Sequence, residues 1–304
     1  MKTVGELLKI LCLISPLFLL SCNVAKDKRD VKNISYPEPL PDSIALVFLP
    51  GIVSSDSIDF GSAFSPDAKS FYFSRKKNNR SQLYVSQHNG NTWTDPAPVS
   101  FADDRYAEAD PAFSPDGKLY FISTRPKNES DTVMDYDIWF VTPLHDGRWS
   151  DPTNAENINS DSAEYYISFT ENDNLYFASS RAGGYGEEDL YVSKWVDGNY
   201  GAPDNLGSAV NTGFSEYDPF ISPKGDFIIF TSSHRDDSFG SGDLYCATID
   251  SNLKWGEAHN LGKEINTPTR EYCPYLTPDG DYFFFSSAGN IKWVRSTVLK
   301  EKLK

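Results

Sequence analysis

Five acidic residues, Asp59, Glu108, Glu164, Glu216 and Glu271, each stand six residues before a hydroxyl side chain: Ser65, Ser114, Thr170, Ser222 and Thr277. Carboxylates brought close together raise one another's proton affinity unless a positive charge or a set of donors intervenes. Two outcomes suit such a ring. Main-chain groups can cap the start of each strand, or the carboxylates can hold Ca²⁺, a cationic peptide or an amino sugar, since hard cations favour several carboxylate oxygens. Asp110 and Asp218 lie two residues beyond Glu108 and Glu216, where the other copies carry Gly61, Tyr166 and Cys273. A pair that breaks the repeat is what the unequal acid and base roles of glycoside cleavage need, although Asp-Pro also makes a turn at a strand start. A third set joins Arg125, Arg181 and Arg235 to Asp137, Asp189 and Asp243. It suits a structural ion pair across one loop in each of three units, because a guanidinium meets a carboxylate at two points. The first unit has Arg75 but Gln82 in the aspartate's place, and the fifth has Ala288 and Asn290. If a ligand pocket is off-centre, it is expected beside those two, where unpaired polar groups are free for a partner.

Other chemistries lack their residues. There is no Gly-x-Ser-x-Gly elbow for a hydrolase nucleophile, and His88, His145, His234 and His259 fall in predicted loops without zinc-ligand spacing. A formal charge of -15 argues against a nucleic-acid partner, which clustered Lys and Arg would have to hold. Cys246 and Cys273 sit inside predicted strands, where a buried free thiol is commoner than a bridge even in an oxidising compartment. Tyr185, Tyr200 and Phe239, in predicted loops, have the amphipathic surface that stacks on sugars or holds a protein.

The elements that position these residues come from one repeated phrase. "AFSPDGKLYFISTR", Ala112 to Arg125, has relatives beginning at Ala63, Ser168, Phe220 and Tyr275, and the marker hydroxyls are spaced by 49, 56, 52 and 55 residues. Such a period suits four strands. Ser114-Pro115-Asp116-Gly117 supplies a type I turn, "KLYFIST" is apolar on both faces, "DIWFVTP" follows a polar loop, and a weaker fourth strand ends near "NAENINS". Four antiparallel strands per unit make a β-propeller blade. After its fifth turn the chain supplies "DYFFFSS" and "NIKWVRSTVL" without an outer strand, while "SIALVFLPGIVSSDSIDF" from Ser43 aligns with the outer-strand segment at Asn260. The expectation is an all-β, five-bladed propeller closed by an N-terminal strand, with six blades as the rival if one degenerate unit escapes notice. Loops leading into first strands and joining second to third strands share one face of the ring. The inner acids are therefore expected around a channel mouth on that face.

"FSPDGKLYF" followed by "SxR" and "DIW" or "DLY" resembles the TolB-type family of WD-like propeller repeats, over roughly Ser43 to Leu299. The third unit departs with Thr170-Glu171-Asn172-Asp173, and the first has Ala68 for Gly. The resemblance implies a periplasmic or envelope-facing binding platform. Similar propellers also occur in peptidases and sugar-active enzymes, and a fold does not fix a function.

Residues 1–21 read as a secretory signal, with Lys2 and Lys9 before an apolar run from Ile10 to Leu20. Leu19-Leu20-Ser21-Cys22 resembles a bacterial lipobox, implying a lipoprotein acylated on Cys22. Residues 22–42, charged and proline-spaced, are expected to be a flexible tether, 43–299 the propeller and 300–304 a tail. The chain is thus expected as a monomer on the bacterial envelope, in the outer membrane and facing the periplasm or the surface. It binds an envelope protein or glycan through Asp59, Glu108, Glu164, Glu216, Glu271, Asp110 and Asp218, with no cofactor unless Ca²⁺ sits at the mouth. The alternative is a glycan-degrading enzyme, a glycoside hydrolase or lyase, using the same carboxylates.

Overall fold

In the computed structural model, residues 34–303 are described, and Cys22 and the signal segment lie outside them. Five four-stranded antiparallel sheets form, four of them in chain order from the first strand outward. The first strands are Ile58–Phe64, Glu108–Phe113, Glu164–Phe169, Glu216–Ile221 and Glu271–Leu276. Each touches the first strand of the next unit, and the fifth touches the first, so the ring closes around these strands. The chain is a five-bladed β-propeller. Closure leaves no end blade with a bare face, as a linear array would have. The fifth blade takes its outer strand from the N-terminal side: Leu46 and Val47 pair with Trp293 and Lys292. Behind this strand, Phe48 is fully buried and packs on Phe71, Phe284 and Trp293, welding blades five and one.

Local chemistry explains the blade. In all five turns, the residue four places into the motif donates its amide to the marker hydroxyl residue's carbonyl, as Gly117 does to Ser114 at 2.9 Å. That residue has positive φ in every copy, even where Ala68 and Asp173 replace glycine, so the third and first units keep the turn despite their substitutions. The second strands are buried through their centres, and Leu119–Ser123, Leu175–Ser179 and Tyr282–Ser287 along their whole length, because each blade is covered by a neighbour on both faces.

Two expected boundaries are corrected. The tether does not extend to residue 42: Ile34 is buried, Tyr36 stacks on Trp293 at 5.7 Å and donates to Asp279 at 3.0 Å, and the Arg295 amide donates to the Asp42 carbonyl. The tail also docks. The Lys302 carbonyl lies 2.6 Å from His259 Nε2 and 3.2 Å from Cys246 Sγ, and Leu303 packs on the core beside blade four. Cys246 and Cys273 are free and buried.

Candidate functional site

The five inner acids occupy equivalent places, but each is fully buried and committed to its own blade. Glu216 shows the arrangement. It receives the amide and hydroxyl of Thr212, at 2.7 and 2.8 Å, the Ser232 hydroxyl at 2.7 Å and Arg235 Nη2 at 3.0 Å. Glu164 is held likewise by Ser160, Ser179 and Arg181. In blade one the acid is shorter, and Arg75 stands directly across the strand pair from Asp59, bonding it at 2.6 Å. Blade five has no arginine there, yet Thr267, Thr269 and Ser287 supply four donors to Glu271. These carboxylates pin the start of each first strand. Their expected place as a shared ring at the channel mouth is corrected by this burial. Among the described residues, no group of three or more His, Cys, Asp or Glu side chains is arranged to hold a metal.

The expected ion pairs are also exchanged. Arg125, Arg181 and Arg235 reach Glu108, Glu164 and Glu216 rather than Asp137, Asp189 and Asp243. Those aspartates instead accept from an outer-strand asparagine: Asn154, Asn205 and Asn260 donate to them at 3.0, 2.7 and 2.8 Å. Asp189 and Asp243 further collect the amides of Tyr185 and Gly186, and of Phe239 and Gly240, and Lys127 lies 3.5 Å from Asp137. The buried carboxylate that most needs a fixed cation takes the guanidinium, while the third-strand aspartate can be met by neutral donors.

Blade two breaks the donor pattern. Four blades place Ser or Thr four residues before the acid (Ser55, Ser160, Thr212, Thr267); blade two places Asp104 there. Glu108 bonds Arg125, but its Oε2 has no hydrogen-bond partner. Burial, only partly offset by Arg125, pushes its carboxyl up to about 7. A carboxyl raised in the folded state favours folding most while it is protonated. Stability therefore falls as pH rises from about 4.5 to about 7. Asp104→Thr restores a missing donor and is expected to raise Tm by roughly 3–6 °C at pH 8, about the value of one hydrogen bond to a charged group. The gain should shrink at pH 5. An equal gain at both pH values in a melting series contradicts this reading.

The axis is lined two residues further on. Every first strand carries a bulge, and Gly61, Asp110, Tyr166, Asp218 and Cys273 all have positive φ there. A bulge leaves an amide to satisfy, and for four of the five the preceding blade supplies the acceptor. Ser286 Oγ accepts from Gly61, Ser74 Oγ from Asp110, Asp110 Oδ2 from Tyr166 and Asp218 Oδ2 from Cys273. Asp110 and Asp218 are thus the two charged members of an axial ring, both buried. Burial first, and then Asp218's charge, hold Asp110 well above the usual carboxylate range; Asp218 is raised by burial and eased by Arg270.

Above this pair, at the loop-face ends of the first strands, stands an aromatic arc that the sequence reading missed. The residue after the inner acid is Phe60, Tyr165, Tyr217 or Tyr272 in four blades and Ala109 in blade two. All four rings are half-buried. Phe60 and Tyr272 lie 6.0 Å apart, Tyr136 meets Tyr165 at 5.8 Å, and the exposed Arg270 lies over both Tyr217 and Tyr272, at 4.9 and 4.8 Å. Burial pushes the Tyr217 phenol up to about 12. The signal was present as a recurring aromatic after each acid. Tyr185 and Phe239, exposed on the same face, are carried by the loops that clasp Asp189 and Asp243, while Tyr200 pairs with Trp195 in an extra hairpin of blade three.

A five-bladed β-propeller with an axial carboxylate pair beneath an aromatic collar is therefore the class this chain defines. Among solved structures it is similar to a glycoside hydrolase, at 10% identity and a TM-score of 0.53 over 85% of this chain and 91% of the other. It is also similar to the α-L-arabinofuranosidase from Lactobacillus brevis, at 12% identity and a TM-score of 0.52 over the same shares. At these identities the likeness shows the fold. No protein-family model and no curated protein matches the sequence.

Proposed function

We propose that this chain is a TolB-like propeller lipoprotein, anchored to the bacterial envelope through acylated Cys22, that binds a glycan at the loop-face end of its axis. The observation that carries the reading is the collar of Phe60, Tyr136, Tyr165, Tyr217 and Tyr272, with Arg270 over the last two, set over Asp110 and Asp218. Sugar rings present C–H faces that pack on aromatic rings and hydroxyls that need polar partners, and this mouth offers both. The inner acids contribute by fixing the strand starts from which the collar projects. A cationic sugar is favoured over an acidic one by the two aspartates, with Arg270 as the counterweight. Calcium has no place in this reading, because the inner carboxylates already accept from side chains and amides.

A second reading, glycan cleavage, is favoured by one observation: the two aspartates are unequal. Both are raised by burial and eased by Arg270 and by one bulge amide, but Asp110 alone also bears its partner's charge. Carboxylates in unlike settings can divide the roles of acid and base. Incubating the purified protein with a panel of polysaccharides, and scoring both retention and new reducing ends, tests the two readings together. Retention without new ends supports the binding platform. New ends that vanish in Asp218→Asn establish the enzyme, and neither result from any polysaccharide sinks the glycan assignment.

A further inference from the structure

Tyr166 divides the axis of the ring. Its hydroxyl donates to the Pro274 carbonyl at 2.8 Å, running from blade three to blade five. The same side chain walls a second cavity of about 100 Å³, to which all five blades contribute, among them Ser62, Phe113, Phe169, Phe220 and Tyr275. These residues follow the bulge in their first strands, toward the Ser-Pro-Asp-Gly turns. The cavity is therefore on the side of Tyr166 away from the collar.

Ser62 sets its chemistry. At the equivalent place the other blades carry Pro111, Ile167, Pro219 and Pro274, all apolar. Ser62 is 2% exposed, and its Oγ has no hydrogen-bond partner. The other hydroxyls in the wall are engaged: Ser168 donates to the Pro219 carbonyl at 2.6 Å, and the Tyr275 oxygen accepts from the Phe64 amide. A buried hydroxyl without a partner is a standing penalty that a bound polar atom relieves. The remaining wall is aromatic and aliphatic, and at about 100 Å³ the cavity has two-thirds of the ~150 Å³ that holds benzene, so one small ring is the most it suits.

We propose that this cavity is a second ligand site, for a single aromatic ring bearing one hydroxyl or amine. The ring lies among Phe113, Phe169, Phe220 and Tyr275, and its polar atom meets Ser62 Oγ. The site is independent of the glycan reading, because Tyr166 separates the two ends and none of these residues belongs to the collar.

The test titrates phenol and toluene against the full chain, read by ligand-detected NMR and by Tm. Phenol is expected to bind roughly fivefold more tightly than toluene, the margin of one net hydrogen bond. Ser62→Ala should bring phenol to toluene's level, and Ala112→Leu, which fills the cavity, should abolish binding of both. Circular dichroism and the melting curve establish that each variant is folded, and Ser62→Ala, which removes one oxygen, keeps the test decisive if the larger side chain is not tolerated. Polysaccharide retention should be unchanged in both variants, which separates failure here from failure of the collar assignment. Absence of saturable binding by the wild type, or equal phenol affinity in Ser62→Ala, overturns the proposal.

Discussion

Replacing Arg235 with alanine is expected to destabilise the propeller by about 3–5 kcal/mol, the usual consequence of stranding one member of a buried ion pair. Arg235 holds Glu216 at 3.0 Å, the Val210 carbonyl at 2.7 Å and the Ser232 hydroxyl at 2.8 Å, with its guanidinium 4.7 Å from the Tyr245 ring centre. Glu216 is fully buried, so the carboxylate left behind has no solvent to turn to. In a domain of this size the loss corresponds to a Tm drop of roughly 10 °C. The double variant with Glu216→Gln should be more stable than Arg235→Ala alone, because it removes the stranded charge. If Arg235→Ala melts within about 2 °C of the wild type, where substitutions at unimportant surface sites fall, the inner carboxylates are not the structural pins described above.

The axial aspartates should behave in the opposite way. Asp110→Asn and Asp218→Asn are expected to raise Tm at pH 7 while lowering glycan retention by at least about tenfold. Both carboxyls are raised by burial, and Asp110 also by Asp218's charge. Their stabilising protonated form is lost as pH rises above the ordinary aspartate range through the folded-state values, so the wild type loses stability over that interval and the variants should lose less. Asparagine keeps the oxygen that accepts from the Tyr166 or Cys273 amide, and it tolerates the positive φ at both positions. A side chain whose charge weakens the fold and whose neutral isostere serves the backbone equally well is retained for something other than folding. A fall in Tm in both variants removes that inference.

The sequence disclosed the ring because its signals are local and repeat five times: the turn, the apolar second strand and the acid six residues before the hydroxyl. The N-terminal closure was legible too, since Leu46–Val47 aligns with the outer strands of the other blades. Pairing partners were not. Arg125 goes to Glu108, while Asp137 takes the outer-strand Asn154 on one oxygen and has Lys127 at 3.5 Å from the other, neither of which the spacing of Arg125 and Asp137 discloses. Asparagines repeat at Asn154 and Asn159, Asn205 and Asn211, and Asn260 and Asn266. In each pair the second bonds both main-chain groups of a third-strand residue. That pattern was available and went unread because polar residues in short outer strands look like loop composition. The unpaired arginine that motivated an off-centre pocket beside blades one and five is absent for a related reason. Their missing aspartates do not unpair an arginine, whereas Asp104 in blade two, where a hydroxyl belongs, does leave Glu108 short of donors.

The assignment rests most directly on the collar. A glycan array probed with the wild type, with the Tyr217→Ala and Tyr272→Ala variants, and with Ala112→Leu measures it in one experiment. The account predicts that the wild type and Ala112→Leu bind the same glycans, and that each tyrosine variant loses at least about tenfold in affinity, some 1.4 kcal/mol, while melting as a folded protein. Tyrosine variants that bind as the wild type does, or a wild type that binds no glycan, contradict it.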